Sequence, residues 1–151
     1  MAKKIDALLS DYAAYHQTRG NKSCHFIGIP LIIFGLLSIL RLVTAGPMTG
    51  AEILIAVTTV YYLILQLRLA AGMLLAAALL DLTALAISNA AAGLAALVIG
   101  WIFQAIGHAV YERNRPAFFR NLVHLLVGPL FLLNEVLHVR PVAVHPRPYS
   151  A

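Results

Sequence analysis

Polar residues interrupt the hydrophobicity of this chain at only a few points, leaving four long apolar runs at 26–43, 51–67, 69–87 and 91–110. Each is close to the roughly 17 to 25 residues that carry a helix across a hydrocarbon core of about 30 Å, so four crossings are expected. The breaks between them are a Gly- and Pro-containing segment at 44–50 (TAGPMTG), Arg68, and Ser88 to Ala90. A fifth run, 122–137, contains Gly128 and Pro129. As a helix it would reach only about 24 Å, so it is predicted to be a short interfacial or re-entrant element. Ahead of the first run, Ile5, Leu8, Leu9, Tyr12 and Tyr15 or His16 recur at helical spacing, with Lys3, Lys4, Asp6, Ser10 and Asp11 mostly opposite. That pattern predicts an amphipathic helix on the membrane surface. The polar stretch Gln17 to Ser23, with Gly20, is expected to be a turn, and Pro30 then falls in an early turn of the first crossing.

The pattern as a whole predicts an all-α integral membrane bundle, a single domain over residues 1–151. Small residues crowd the third and fourth runs (Ala76, Ala77, Ala78; Ala91, Ala92, Gly93, Ala95, Ala96), so those two helices are expected to pack closely.

Composition makes lipid the solvent: 61% of residues are hydrophobic, 11% are charged and the mean hydropathy is +0.84. The net charge of +5 would suit nucleic acid, but the cations sit in short segments between apolar runs, which points to anionic headgroups and away from nucleic acid. With four crossings, Lys3, Lys4, Arg19, Lys22, Arg68, Arg113, Arg115 and Arg120 fall on one side, and Arg41 alone approaches the other. The positive-inside rule then puts both termini in the cytoplasm, in a bacterial inner membrane or, in a eukaryote, the endoplasmic reticulum; the former is our expectation. The start of the chain has no apolar core beside its lysines, so no cleavable leader is expected. Cys24 is the only cysteine, which excludes an intrachain disulfide and cysteine-rich metal sites. Nothing in the pattern excludes an oligomer.

This layout has chemical content. His16, His25, His108 and His124, far apart in sequence, reach one level at the cytoplasmic ends of their segments. Gln104, His108 and Glu112 are spaced by four and share a helix face; Asn121 follows closely, and Glu135 lies beyond Gly128-Pro129. Ionisable groups at the edge of an apolar bundle cost about 2.5 to 3.5 kcal/mol or more when stranded in hydrocarbon, so their gathering points to function. Several imidazoles with a carboxylate suit Fe(II), Zn(II) or Cu(II). For any one histidine a headgroup-zone hydrogen bond explains as much, and only the convergent set favours metal. Asp81 is expected to pair with Tyr61, Tyr62 or Gln66, and Cys24 to act as a small apolar residue. His138 and His145 belong to a solvated Pro-containing tail, and Trp101, Tyr61 and Tyr62 to packing.

Five strings carry a resemblance that spans most of the chain. They are Tyr12-Ala-Ala-Tyr15-His16; Asn21-Lys22-Ser-Cys-His25-Phe-Ile-Gly-Ile-Pro30; Gly100-Trp101-Ile-Phe-Gln104-Ala-Ile-Gly107-His108-Ala-Val-Tyr-Glu112; Arg115-Pro116-Ala117 with Asn121-Leu122; and Pro129-Leu-Phe131 with Glu135. Together they resemble the 2-hydroxy fatty acid dioxygenases of fatty acid α-oxidation, named for a fungal enzyme of the endoplasmic reticulum acting on 2-hydroxypalmitic acid. The Trp-x-x-Gln-x-x-Gly-His-x-x-x-Glu string is the most specific. The resemblance implies an Fe(II) enzyme that uses O2 to convert a long-chain 2-hydroxy fatty acid into CO2 and the acid one carbon shorter. His16, His25 and His108 would be ligands, with Glu112 a further ligand or a partner orienting a histidine. His124, outside these strings, is one more candidate ligand. Lys22, Arg113 or Arg115, with Asn121 nearby, would hold the substrate carboxylate.

Three other readings compete. Membrane di-iron hydroxylases need about eight histidines in H-x-x-x-H and H-x-x-H-H boxes, and this chain has six and no such box. A haem-binding carrier would use two facing histidines. A non-catalytic scaffold would leave the histidines interfacial.

Overall fold

The computed structural model describes residues 2–113 and 122–142. Helix α1 (Ala2–Ala13) buries Ile5, Leu9 and Tyr12 in a cluster with Val127, Leu130 and Phe131 of the last helix. Its apolar face, expected to lie on lipid, is thus covered by protein. A two-pronged ion pair ties its outer face down: Arg140 Nε donates to Asp6 Oδ1 at 2.8 Å and Arg140 Nη2 to Asp6 Oδ2 at 2.6 Å.

Helix α2 (Arg19–Leu40) begins earlier than the first apolar run. The Thr18 hydroxyl accepts from the Asn21 amide at 3.3 Å and caps it, so the polar residues expected in a turn form the first helical turn instead. Gly20 is there for space: the Tyr111 ring occupies the volume a side chain would need. Pro30 consequently sits in the middle of the helix.

A two-residue hairpin follows, β1 (Thr44–Ala45) with β2 (Met48–Thr49), turning at Gly46, whose φ of +63° favours glycine. Helix α3 (Gly50–Leu65) starts in a capping box between Thr49 and Glu52. One extended residue, Gln66, ends α3 and caps α4 (Leu67–Ile87) through its side chain, which accepts from Leu69 N at 2.6 Å. The break expected at Arg68 therefore falls two residues earlier, and Arg68 lies within α4. Asn89 caps α5 (Ala90–Ile106), which passes into a π-helical turn, Gly107–Glu112. The last helix, α6 (His124–Leu137), runs unbroken through Gly128-Pro129: it is a short helix and does not fold back within itself.

Among the described residues, three helices are long and apolar enough to cross a membrane: α2, α4, and α5 with its π turn. Helices α3 and α6, at 16 and 14 residues, are shorter. The outer surface of the bundle is apolar, with Val57, Leu75, Leu79 and Leu82 exposed. The expected pairing of the third and fourth apolar helices is not what forms, since α5 packs along α2 and barely touches α4. Glycines spaced by seven on both partners explain the choice. Gly28 and Gly35 of α2 face Gly100 and Gly93 of α5, and a Cβ on Gly100 would lie 2.7 Å from the Gly28 carbonyl oxygen. Alanines 90–92 of α5 face outward. Asp81 pairs with none of its expected partners. Its Oδ2 accepts from Arg41 Nη1 at 2.7 Å, joining α4 to the end of α2 at the edge of the bundle remote from the histidines.

Candidate metal centre

Three histidines from three segments meet in one buried site. His16 follows α1, His25 stands two turns into α2, and His108 opens the π turn after α5. All three are at most 4% exposed. Their ring centroids are 4.5 Å apart for His16–His25, 4.8 Å for His16–His108 and 5.0 Å for His25–His108. One potential ligand atom from each lies within 4.8 Å of the others. Tyr12 stacks flat on His16, with centroids 3.9 Å apart and an interplanar angle of 7°.

The hydrogen bonds around the rings select their tautomers. His16 Nδ1 lies 2.7 Å from the Tyr12 carbonyl oxygen, and His25 Nδ1 lies 2.9 Å from that of Asn21. A carbonyl only accepts, so each Nδ1 carries the proton and each Nε2 presents a lone pair. These two Nε2 atoms face each other 3.1 Å apart, and His108 Nδ1 is buried without a hydrogen-bond partner. Opposed lone pairs beside an orphaned ring nitrogen are a poor arrangement for three neutral imidazoles alone and a good one for three imidazoles around a cation. The donor set thus fits a borderline metal ion, with backbone carbonyls orienting two of the ligands. Burial holds the His16 imidazole well below its ordinary pKa, and the proximity of His25 adds to this, so the ring is neutral and available as a ligand.

Glu112 is close by but otherwise occupied. Its Oε1 accepts from Gln17 N at 2.9 Å, and its Oε2 from Thr18 N at 3.1 Å, Thr18 Oγ1 at 2.8 Å and Asn21 Nδ2 at 3.1 Å. The carboxylate braces the segment between His16 and His25 and is not part of the three-histidine group. The π turn separates the two jobs: with the Arg113 amide bonded to the His108 carbonyl, the widened turn aims His108 at the other histidines and Glu112 at residues 17–21.

The remaining candidates divide. His124 is buried edge-on to Tyr12, centroids 6.0 Å apart, with its Nε2 2.9 Å from Asp11 Oδ2; it stands beside the trio and not within it. Lys22 Nζ is 2.8 Å from Glu135 Oε2 and lies over the Phe131 ring. Arg113 is exposed. Arg115 and Asn121 lie outside the described residues. Sequence reasoning assigned no role to Tyr12, Thr18 or Asn21, which position the histidines; the Thr18-x-x-Asn21 capping pattern was the available signal for two of them.

Behind the histidines a cavity of about 490 Å³ runs into the bundle. His16, His25, His108, His124, Tyr12 and Gln104 line its head, and Ile29, Ile33, Leu36, Leu37, Leu54, Met73 and Leu97 are among the residues of its apolar body. Lys22 and Arg113 are not in its wall. Gln104, one turn before His108, is buried there with its Nε2 unpartnered.

A family model described as 2-hydroxy-palmitic acid dioxygenase Mpo1-like matches residues 2–140. The chain belongs to this family. Among relatives of this Mpo1-like chain is the 2-hydroxy-palmitic acid dioxygenase MPO1 of Saccharomyces cerevisiae, 34% identical over 137 residues, which covers 85% of this chain and 77% of the yeast protein. No solved structure matches the chain. The match takes in every segment that contributes to the three-histidine site.

Proposed function

We propose that this Mpo1-like chain is an Fe(II)-dependent dioxygenase that converts a long-chain 2-hydroxy fatty acid and O2 into CO2, water and the fatty acid one carbon shorter. One observation carries the reading: a buried trio of histidines stands at the head of an apolar cavity of about 490 Å³ in a bundle with an apolar exterior. A polar head at the histidines and an acyl tail among Ile29, Ile33 and Leu37 satisfy both ends of such a substrate. The overall change, R-CH(OH)-COOH + O2 → R-COOH + CO2 + H2O, balances in atoms and electrons with no further reductant.

His16, His25 and His108 would hold the iron. Bound there, it supplies Lewis acidity toward the hydroxy-carboxylate and the one-electron chemistry that O2 requires. The carbonyls of Tyr12 and Asn21 keep the Nε2 lone pairs of His16 and His25 turned inward. Glu112 fixes the spacing of those two ligands through Gln17, Thr18 and Asn21. Tyr12 and the cavity's apolar wall exclude bulk water, so that the cleavage is confined to a bound acid.

The test is anaerobic purification in detergent, metal analysis, and addition of Fe(II), O2 and 2-hydroxypalmitate with mass-spectrometric detection of the C15 acid. The expected result is C15 acid with one CO2 per O2 consumed, abolished in His108→Ala together with bound iron. Iron uptake without shortened acid would retain the metal centre and reject this substrate class. A haem absorption band in the purified protein would favour the electron-carrier reading instead.

A further inference from the structure

The cavity has a measurable depth. From His25 to Leu37 along α2 is twelve residues, about 18 Å of helix, and from His108 back to Leu97 along α5 is eleven, about 16 Å. At its far end the wall residues are Leu37, 1% exposed, with Leu54 of α3 and Leu97 of α5. The Arg41–Asp81 pair brings Asp81 to the end of α2, which puts Ala77, another wall residue and one turn earlier on α4, level with Leu37 at this floor. A straight acyl chain advances about 1.25 Å per bond, from bonds of about 1.52 Å opened to about 111°. The space below the histidines therefore holds about 13 to 14 bonds beyond the carbon that carries the hydroxyl.

We propose that Leu37, Leu54 and Leu97 form a stop that limits the acyl chain to about sixteen carbons. This rests on the reading above, in which the hydroxy-carboxylate head sits at the histidines. The competing arrangement is visible in the same cavity: Trp101 and Leu125 line it and are 40% and 45% exposed, and α5 makes little contact with α6, so a long tail has a side gap through which to leave. The stop governs only if the tail runs along α2 to the floor.

Trp101, the sole tryptophan, lies in the wall about 10 Å from His108 along α5, which provides a binding readout independent of metal and turnover. Full-length protein in detergent is titrated with a brominated fatty acid that quenches Trp101, then with unlabelled 2-hydroxy acids from C12 to C24 as competitors. In parallel, the Fe(II)-loaded protein is assayed for shortened acids over the same series. Both profiles are expected to rise to about C16 and to fall by about tenfold by C20. Ala77→Phe, which puts a ring into the floor itself, should move both limits down. The pair Leu54→Ala and Leu97→Ala should move them up. Equal handling of C16 and C24 by the unaltered protein overturns the stop, as does an unmoved limit in an Ala77→Phe protein that still takes up the brominated acid saturably. A length limit in displacement with no shortened acid from any substrate upholds the stop and rejects the dioxygenase reading. An absence of saturable displacement rejects the stop, whatever the turnover shows.

Discussion

The Glu112 carboxylate accepts four hydrogen bonds from Gln17, Thr18 and Asn21, the segment that links His16 to His25. Leaving such buried donors unpaired costs about 1–3 kcal/mol each, and removal of a group that positions metal ligands typically weakens metal binding by about 10- to 100-fold. Chelator competition on Glu112→Ala should show a loss of that size, with Glu112→Gln, which keeps one carbonyl acceptor, intermediate. If Glu112→Gln lost metal as completely as His108→Ala, the carboxylate would be a ligand after all. His16 supplies a pH dependence. Its buried ring resists protonation, so in the unfolded metal-free chain it takes up a proton near its ordinary pKa of about 6.5 while the folded chain refuses it. The part of the stability that depends on His16 is therefore full above about pH 6.5 and declines as pH falls below it. Thermal unfolding between pH 8 and 5 should show this slope, reduced in His16→Gln; an unchanged slope would mean that the His16 ring is solvated. Topology brought His16, His25 and His108 to one level from the sequence alone, because apolar runs fix the depth of a residue. Which of the neighbouring polar groups would be ligand, brace or partner was not legible. A π turn aims Glu112 at residues 17–21, and His124 lies against Asp11; spacing does not encode either arrangement.

Among the elements, the α2–α5 pair shows what governs packing in this bundle. Gly28, Gly35, Gly93 and Gly100 let two backbones approach, and no side chain can enter at Gly100 without displacing the Gly28 carbonyl or Ile32. Overpacking of this kind typically costs about 1–3 kcal/mol, and backbone is less able than a side chain to give way. Gly100→Val should lower the melting temperature in detergent by several degrees and weaken metal binding, since α2 carries His25 and α5 leads into the turn that carries His108. Leu94→Ala on the outward face of α5 should do neither. Equal tolerance of the two changes would show that the glycine seam is not what holds the histidines together. Hydrophobic runs located the helices well, since burial in lipid or protein demands continuous apolarity either way. Their ends and partners were less legible. Residues 19–23 read as a turn because they are polar, yet Thr18 and Glu112 make them the start of α2. Alanine content suggested α4 with α5, whereas the seven-residue glycine spacing on α2 and α5 was the stronger signal for close approach.

At the scale of the molecule, the histidine site and the Arg41–Asp81 pair mark opposite ends of the bundle, because α2 leads from one to the other. The hairpin at 44–49 lies at the second end. From it α3 climbs back, so that the Tyr62 hydroxyl donates to the Leu126 carbonyl at 2.8 Å, and α4 and α5 then descend and return. This path makes four passes although α3 has only 16 residues, about 24 Å against a core of about 30 Å. We therefore expect the four-crossing topology, with Lys4 and the histidine site on the face rich in cations and the hairpin on the other. Single cysteines test it in a Cys24→Ser background. Lys4→Cys, exposed on α1, and Met48→Cys, exposed in the hairpin, are challenged in intact cells with a membrane-impermeant maleimide. Met48→Cys should label in intact cells and Lys4→Cys only after permeabilisation. Reversed labelling would keep the fold and invert its orientation, placing the three-histidine site on the far face. Labelling of both from one side would mean that α2 does not cross. The apolar exterior would then have to be covered by protein, with a second copy of the chain the first partner to look for, since a surface carrying Val57, Leu75, Leu79 and Leu82 is not stable in water.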